Sequence, residues 1–315
     1  MSQGHFALAG KRVWVAGHNG MVGSALVRRL QQIDCKILTV DKSTLDLRRQ
    51  AEVEAWMTEN KPQAVFIAAA RVGGIQANST RPGEFFYDNL AIATNIIEGS
   101  HLVDVEKLMF LGSACIYPRL CEQPMPESSL MTGPLEPTNE GYAMAKLGAI
   151  TMCAGYRRQY GHDYISVVPT NLYGPGDNLD PNASHVVPAT IRKVVEAKKS
   201  GGPVLVWGTG TPRREFLHVD DAADAMVFLM EHYSSDQIIN IGAGEDVSIT
   251  ELTQIVSDIV GYDSPLTFDS TKPDGMPKKQ LEASRLLSMG WAPKIALRDG
   301  LKQTFKWVET MSLRT

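Results

Sequence analysis

The chain has 315 residues, 43% of them hydrophobic and 21% charged, which is enough apolar material for one large α/β unit or for a main domain with a smaller one. A formal net charge of −4 supplies no basic face for nucleic acid, and no apolar run approaches the ~18 residues of a membrane span, so nucleic-acid and membrane partners are set aside. Met1-Ser2-Gln3-Gly4-His5 opens no secretory signal, and the four cysteines, Cys35, Cys115, Cys121 and Cys153, form neither a C-x-x-C pair nor a zinc-like group with histidine; free thiols, a cytoplasmic location and no metal are the expectation.

Arg12-Val13-Trp14-Val15-Ala16 reads as a strand, Gly17-His18-Asn19-Gly20-Met21-Val22-Gly23 as a glycine turn, and Ser24 to Leu30 as a helix. Glycines in that setting permit a tight turn, close approach of backbone to a pyrophosphate and close packing of helix on sheet. The open N–H groups of the helix then face the anion, so a dinucleotide site is expected here. The next strand, Lys36 to Val40, ends at Asp41, about twenty residues on, where an acid grips ribose hydroxyls and favours NAD. Lys42 follows at once, and a lysine there favours the 2′-phosphate of NADP, so the coenzyme choice stays open. Asp46-Leu47 reads either as a neighbour of the adenine or as a helix cap. A helix from Arg49 to Asn60 leads to the buried strand Ala64 to Ala70, closed by Arg71-Val72-Gly73-Gly74. Residues 84–103 form a long helix with more apolar positions than one face needs, so its second face is expected to meet another subunit.

Leu108-Met109-Phe110-Leu111 is a further buried strand, and Gly112-Ser113-Ala114-Cys115 lies at its carboxyl end, the ligand edge of an open parallel sheet. A proline-rich loop, residues 122–139, is too long for a plain connection and delivers the chain to a helix that opens with Tyr142-Ala143-Met144-Ala145-Lys146. Four residues apart in a helix, Tyr142 and Lys146 share one face. Such a pair arises often by chance, and the dinucleotide turn is what gives it weight. The strand Tyr164 to Val168 ends in Pro169-Thr170-Asn171-Leu172-Tyr173-Gly174-Pro175, again at the ligand edge. Beyond residue 175 the alternation loosens. Asn182 to Pro188 is read as a helix start, Val204 to Gly210 as a strand with a turn, Ile238 to Gly242 as a late core strand, Ser248 to Val260 as a helix capped by Ser248, Lys272-Pro273-Asp274-Gly275 as a turn, and Leu301 to Met311 as the closing amphipathic helix. Adjacent Arg213 and Arg214, with Lys193 and Trp207, fit a diphosphate and a base, the alternative being two solvated arginines. The fold class expected is α/β, a Rossmann-like doubly wound parallel sheet over residues 1–175 with later core strands from about 212–245, and a smaller C-terminal α/β substrate lobe over 176–315.

Gly17-x-x-Gly20-x-x-Gly23, Ser113, Tyr142-x-x-x-Lys146, Asn171-x-Tyr173-Gly174-Pro175 and Arg214-x-Phe216-x-His218-Val219-x-Asp221 together resemble the extended short-chain dehydrogenase/reductases that act on nucleotide sugars. Ala68 to Ile75, Gly112 to Pro118, Leu135 to Asn139, Ser184-His185-Val186 and Lys272 to Gly275 are most similar to the GDP-L-fucose synthase family. The resemblance covers nearly the whole chain. It implies epimerisation of GDP-4-keto-6-deoxy-D-mannose at carbons 3 and 5, then reduction at carbon 4 with NADPH. Cys115 and His185 are implied as the base and acid of the epimerisations, and Tyr142, Lys146 and Ser113 as the reducing set. It further implies a coenzyme lying along Gly17 to Gly23, Asp41, Lys42, Leu111, Gly112, Lys146, Pro169, Thr170, Asn171, Leu172 and His185, and a GDP-sugar on Lys193, Trp207, Arg214 and Asp274. Two positions depart from the family pattern: Lys193 stands where arginine is usual, and Asn19 where a basic residue commonly holds the 2′-phosphate. NADP(H) is therefore expected with NAD(H) left open. The competing readings are another nucleotide-sugar epimerase or 4-ketoreductase of the same superfamily, which would not need Cys115 and His185 together, and an inactive coenzyme-binding regulatory protein, against which the intact Ser113, Tyr142 and Lys146 argue. A homodimer is expected.

Overall fold

The computed structural model describes residues 5–180, 184–272 and 274–312. Met1 to Gly4, Asn182 and Ala183 of the expected helix start, and Pro273 of the expected turn lie outside the described residues. Strand and helix alternate through the first half: β1 (Arg12–Ala16), α1 (Met21–Leu30), β2 (Lys36–Leu38), α2 (Gln50–Asn60), β3 (Ala64–Ile67), a short α3 (Ile75–Thr80), α4 (Pro82–Leu102), β4 (Lys107–Leu111), α5 (Glu140–Tyr160) and β5 (Asp163–Pro169). Then come β6 (Asn171–Tyr173), α6 (Val186–Ser200), β7 (Val204–Trp207), β8 (Arg213–His218), α7 (Val219–His232), β9 (Ile239–Ile241), β10 (Asp246–Ser248), α8 (Ile249–Val260), β11 (Leu266–Asp269), β12 (Lys278–Lys279), α9 (Ser284–Ser288) and α10 (Leu297–Ser312).

The first strands read as unbroken apolar runs because helices cover both of their faces. In β1, Val13 and Val15 enter the layer with Ala25, Leu26 and Leu30 of α1, whereas Trp14 and Ala16 enter the layer with Val53 and Met57 of α2. That is the two-residue period of an extended chain. Burying each such valine or larger side chain contributes about 1.5–3 kcal/mol. The six strands pair in the order β2-β1-β3-β4-β5-β9, parallel throughout. Connections leave β1 toward β2 on one side and then cross to β3 on the other, so the crevice between the carboxyl ends of β1 and β3 is the topological switch point.

Of residues 212–245, only β9 enters this sheet. β8 is instead the spine of a second sheet, paired with β10, β12 and β6, and β7 and β11 form a third, two-stranded parallel one. Helices α6, α8 and α10 cover that part of the chain through Val187, Ile191, Val194, Leu252, Val256 and Leu301. The cap expected at Ser248 is present, and it is a full capping box: the Ser248 hydroxyl accepts from Glu251 N (3.0 Å), and the Glu251 carboxylate accepts from Ser248 N (2.7 Å).

Several boundaries differ from the sequence reading. β2 stops at Leu38, because the chain then turns to bring Asp41 to the glycine turn. α6 begins at Val186, inside the expected start at Asn182 to Pro188. α10 begins at Leu297, a turn earlier, since Arg298, Asp299 and Gly300 leave Leu297 alone as an apolar signal in the first turn.

Candidate active site

β1 runs into Gly17, whose φ of +89° is open to glycine, and a Cβ there would lie 2.6 Å from the backbone of Ala69 at the end of β3. A Cβ on Gly23 would lie 2.1 Å from Gly17 O, so the first turn of α1 presses directly on the loop before it. Gly20 caps α1 with no side chain in the cap and no acid in the first turn, leaving the positive end of the helix, with Met21 and Val22 as its first residues, free for an anion. Asn19 Nδ2 donates to Asp41 Oδ1 (2.7 Å), and His18 Nε2 lies 3.5 Å from the same oxygen. Lys42 is exposed. These features fit the pyrophosphate and ribose of a dinucleotide.

Asp46 neither caps α2 nor stands free. Its carboxylate accepts from the Arg48 guanidinium (2.8 Å), which also reaches Asp88 on α4 (3.1 Å), and this pairing holds Asp46 down to about 2. Asp88 in turn pairs with Arg71 (2.7 Å) in the loop after β3. Asn89 clamps the Arg71 backbone on both sides, accepting from its N–H and donating to its carbonyl (3.0 Å each). Sequence reasoning missed Arg48, Asp88 and Asn89, because no period marks a polar residue whose burial is decided by contacts far along the chain.

At the end of β4, Gly112 N donates to Val167 O (2.8 Å), fixing the carboxyl ends of β4 and β5 side by side. A single 3₁₀ turn, Ala114–Ile116, folds Cys115 back so that its Sγ is 2.9 Å from Ser113 Oγ. Lys146 on α5 is buried, donates to Leu111 O (2.8 Å), and lies 4.8 Å from the Phe110 ring and 5.6 Å from the Tyr142 ring. Burial pushes its amine down to about 8, with Cys115 acting in the opposite direction. Burial also raises the Tyr142 phenol; Cys115 adds to this and the Ser113 hydroxyl opposes it. Ser113, Cys115, Tyr142 and Lys146 thus form one cluster. Beside Tyr142 a cavity of about 230 Å³ is lined by Asn78, Ser79, Pro82, Thr138, Asn139 and Glu140.

From the end of β5, Thr170 N donates to Ile241 O (2.9 Å) and the Asn171 amide donates to Glu215 O (2.8 Å). Pro169 and Leu172 continue this edge, Pro169 as the last residue of β5 and Leu172 packed on the core layer of α1 and α7. The buried Glu215 carboxylate accepts from the N–H groups of Ala243 (2.7 Å), Gly244 (2.9 Å) and Leu281 (2.9 Å). The loop that follows β6 brings Gly176 onto the start of α1, where a Cβ would be 3.2 Å from Met21 Cα. Nine residues beyond Gly176, His185 Nδ1 lies 3.2 Å from Asp177 Oδ1, and this hydrogen bond raises the imidazole while burial opposes it.

A second group lies on the smaller sheets. Trp207 is 56% exposed, with Lys193 Nζ 4.4 Å and Lys272 Nζ 5.5 Å from its ring. Asp274 accepts from Thr209 N (2.6 Å) and Thr209 Oγ1 (2.9 Å). Arg214 donates to Met276 O (2.6 Å); burial lowers its guanidinium, opposed by Asp274. The adjacent arginines do not act as a pair. Successive residues of a strand point to opposite faces, and Arg213 is turned to Asp246 and Glu251. The register Asn171↔Phe216 connects the two groups, since Arg214 lies on β8 two residues before Phe216. Among the described residues no cluster of His, Cys, Asp and Glu could hold a metal ion, and no helix is long and apolar enough to cross a membrane.

A glycine turn at the switch point with a Ser, Tyr and Lys set at the next strand ends defines a class, and the chain belongs to the NAD dependent epimerase/dehydratase family, whose model matches residues 13–242. Within it the chain stands with the GDP-L-fucose synthases. It is 54% identical over 302 residues to the GDP-L-fucose synthase of Sinorhizobium fredii, covering 96% of each chain. It is 53% identical over 298 residues to GDP-L-fucose synthase 1 of Arabidopsis thaliana, covering 94% of this chain and 92% of that one. Among solved structures, a GDP-L-fucose synthetase from Naegleria fowleri bound to NADP matches with a TM-score of 0.92 at 28% identity, covering 99% of this chain and 97% of the other.

Proposed function

We infer that the chain epimerises GDP-4-keto-6-deoxy-D-mannose at carbons 3 and 5 and reduces it at carbon 4, giving GDP-L-fucose. The observation that carries this reading is the contact of Ser113 with Cys115 (2.9 Å) beside Tyr142 and Lys146: a plain reductase needs Ser113, Tyr142 and Lys146 but has no use for the thiol. The 4-keto group acidifies the C–H bonds at carbons 3 and 5, so a base on one face and an acid on the other invert each centre through an enolate. Cys115 takes the proton and His185 returns one to the opposite face. Ser113 polarises the keto oxygen, and Tyr142 gives it a proton during reduction while Lys146 favours the phenolate that remains. A nicotinamide coenzyme on the Gly17–Gly23 turn supplies the hydride.

Trp207 stacks the guanine base and Lys193 and Arg214 meet the diphosphate, with Asp274 holding the loop around them. Asp41 is already engaged by Asn19, so selection of NADPH over NADH falls to Lys42 and the turn. The unpaired Cys35, Cys115, Cys121 and Cys153 fit a reducing, cytoplasmic setting. Incubation with GDP-4-keto-6-deoxy-D-mannose and NADPH, with the product sugar identified by NMR, tests the reading. GDP-L-fucose is expected, kcat/KM should be higher with NADPH than with NADH, and Tyr142→Phe should slow reduction by ~10²- to 10⁴-fold with coenzyme binding kept. A product reduced at carbon 4 with carbons 3 and 5 uninverted would instead make the chain a simple 4-ketoreductase.

A further inference from the structure

Asp177 has no part in the chemistry so far, yet it is among the most enclosed carboxylates of the ligand edge. Its side chain is 3% exposed, Oδ1 faces His185 Nδ1 at 3.2 Å and accepts from Asn178 N at 2.8 Å, and Oδ2 is buried without a hydrogen-bond partner among the described residues. The loop that carries it is held close to its neighbours just before Asp177. Gly174 (φ +146°) leaves no room for a Cβ against Val219 (2.6 Å), and Gly176 (φ +93°) lies against Met21. A buried carboxylate is costly unless a charge or donors compensate it, and His185 is the cationic partner within reach.

We propose that Asp177 is the positioning residue for His185, fixing Nδ1–H toward the carboxylate so that Nε2 is the atom that exchanges protons with the sugar. The proposal rests on the epimerase reading above. In each inversion the Cys115 thiolate takes the proton from carbon and the His185 Nε2–H gives one to the opposite face of the enolate carbon, leaving a thiol and a neutral imidazole. Before the second inversion the thiol releases its proton to water and the imidazole takes one back, and the Asp177 carboxylate favours that recharging. The hydrogen bond to Asp177 is the principal influence raising the imidazole. Asp177 is also the charged group whose field acts on the ring, while Arg192 and Lys193 follow about two turns along α6.

The test is an NMR pH titration of His185 in the full chain, alongside the pH profile of solvent deuterium uptake at carbons 3 and 5. In Asp177→Asn, which keeps an oxygen but removes the charge, the His185 midpoint should fall by about one unit or more. The alkaline limb of the exchange profile should move with it, and Asp177→Glu should recover part of both. NADPH binding, followed by fluorescence, should be retained and reports folding. An unmoved His185 midpoint, or a loss of exchange that is uniform across pH, would overturn the proposal. Should Asp177→Asn fail to fold, a wild-type midpoint at or below the ordinary value of about 6.5 would overturn it as well. A shifted midpoint with no exchange by wild type at any pH would refute the epimerase reading alone and leave the Asp177–His185 pairing standing.

Discussion

Lys146 shows at the scale of one residue what the site costs the fold. It is 4% exposed, and burial holds its amine at about 8 against about 10.4 in an unfolded chain. The unfolded chain therefore binds a proton more readily, and the penalty on folding is fully present below pH 8 and fades as pH rises toward the unfolded value. That difference corresponds to roughly 3 kcal/mol at neutral pH, offset in part by the hydrogen bond to Leu111 O (2.8 Å). Lys146→Met should consequently be more stable than wild type at pH 7, by about 1–3 kcal/mol in urea melts, and the advantage should shrink by pH 9.5 while reduction is lost. Wild type more stable at both pH values would contradict this. The Tyr142–Lys146 pair was legible in the sequence because helical spacing alone sets it. Asp177, Asp88 and Asn89 were not, since a single polar residue carries no period and its burial is decided by distant parts of the chain.

At the scale of elements, the six-stranded sheet was legible because strands covered on both faces are written as apolar runs such as Leu108 to Leu111. The second sheet was not. β10 and β12 have 3 and 2 residues, too few to show an alternation, and β8 gains its partners from residues 171, 246 and 278 onward. Strand geometry also settles the arginine pair: Arg213 serves the scaffold through Asp246 and Glu251, leaving Arg214 for the ligand side. On β7, Val204 and Val206 are buried while Leu205 and Trp207 alternate to the exposed face. An indole displayed between Lys193 and Lys272 is suited to stack a base, a contact worth about 1–3 kcal/mol. Trp207→Ala should therefore raise KM for the nucleotide sugar ~5- to 100-fold, with KM for NADPH unchanged. An unchanged KM for the sugar nucleotide would remove Trp207 from the site.

For the whole molecule, α4 and α5 are each 21 residues long and lie against one another on the outside of the sheet. They leave Phe86, Tyr87, Leu102, Met144 and Tyr160 between 41% and 58% exposed. Apolar surface of this kind on two long neighbouring helices favours burial against a copy of itself, and we propose a homodimer closed as a four-helix bundle. Sedimentation at micromolar concentration should give twice the chain mass of 34.5 kDa, and a single-chain mass would count against it. We propose likewise that residues 1–175 form a coenzyme part and residues 176–315 a mainly sugar-binding part, with β9 returning to complete the first part's sheet.

The central claim is that Cys115 and His185 move protons on carbon, and isotope exchange reads that directly. In deuterium oxide without NADPH, the wild-type protein should place deuterium at carbons 3 and 5 of GDP-4-keto-6-deoxy-D-mannose, seen as a rise in mass. Cys115→Ala should lose this exchange because the base is gone, and His185→Asn should impair it, while both variants still bind NADPH. Undiminished exchange in Cys115→Ala, or none in wild type, would contradict the account.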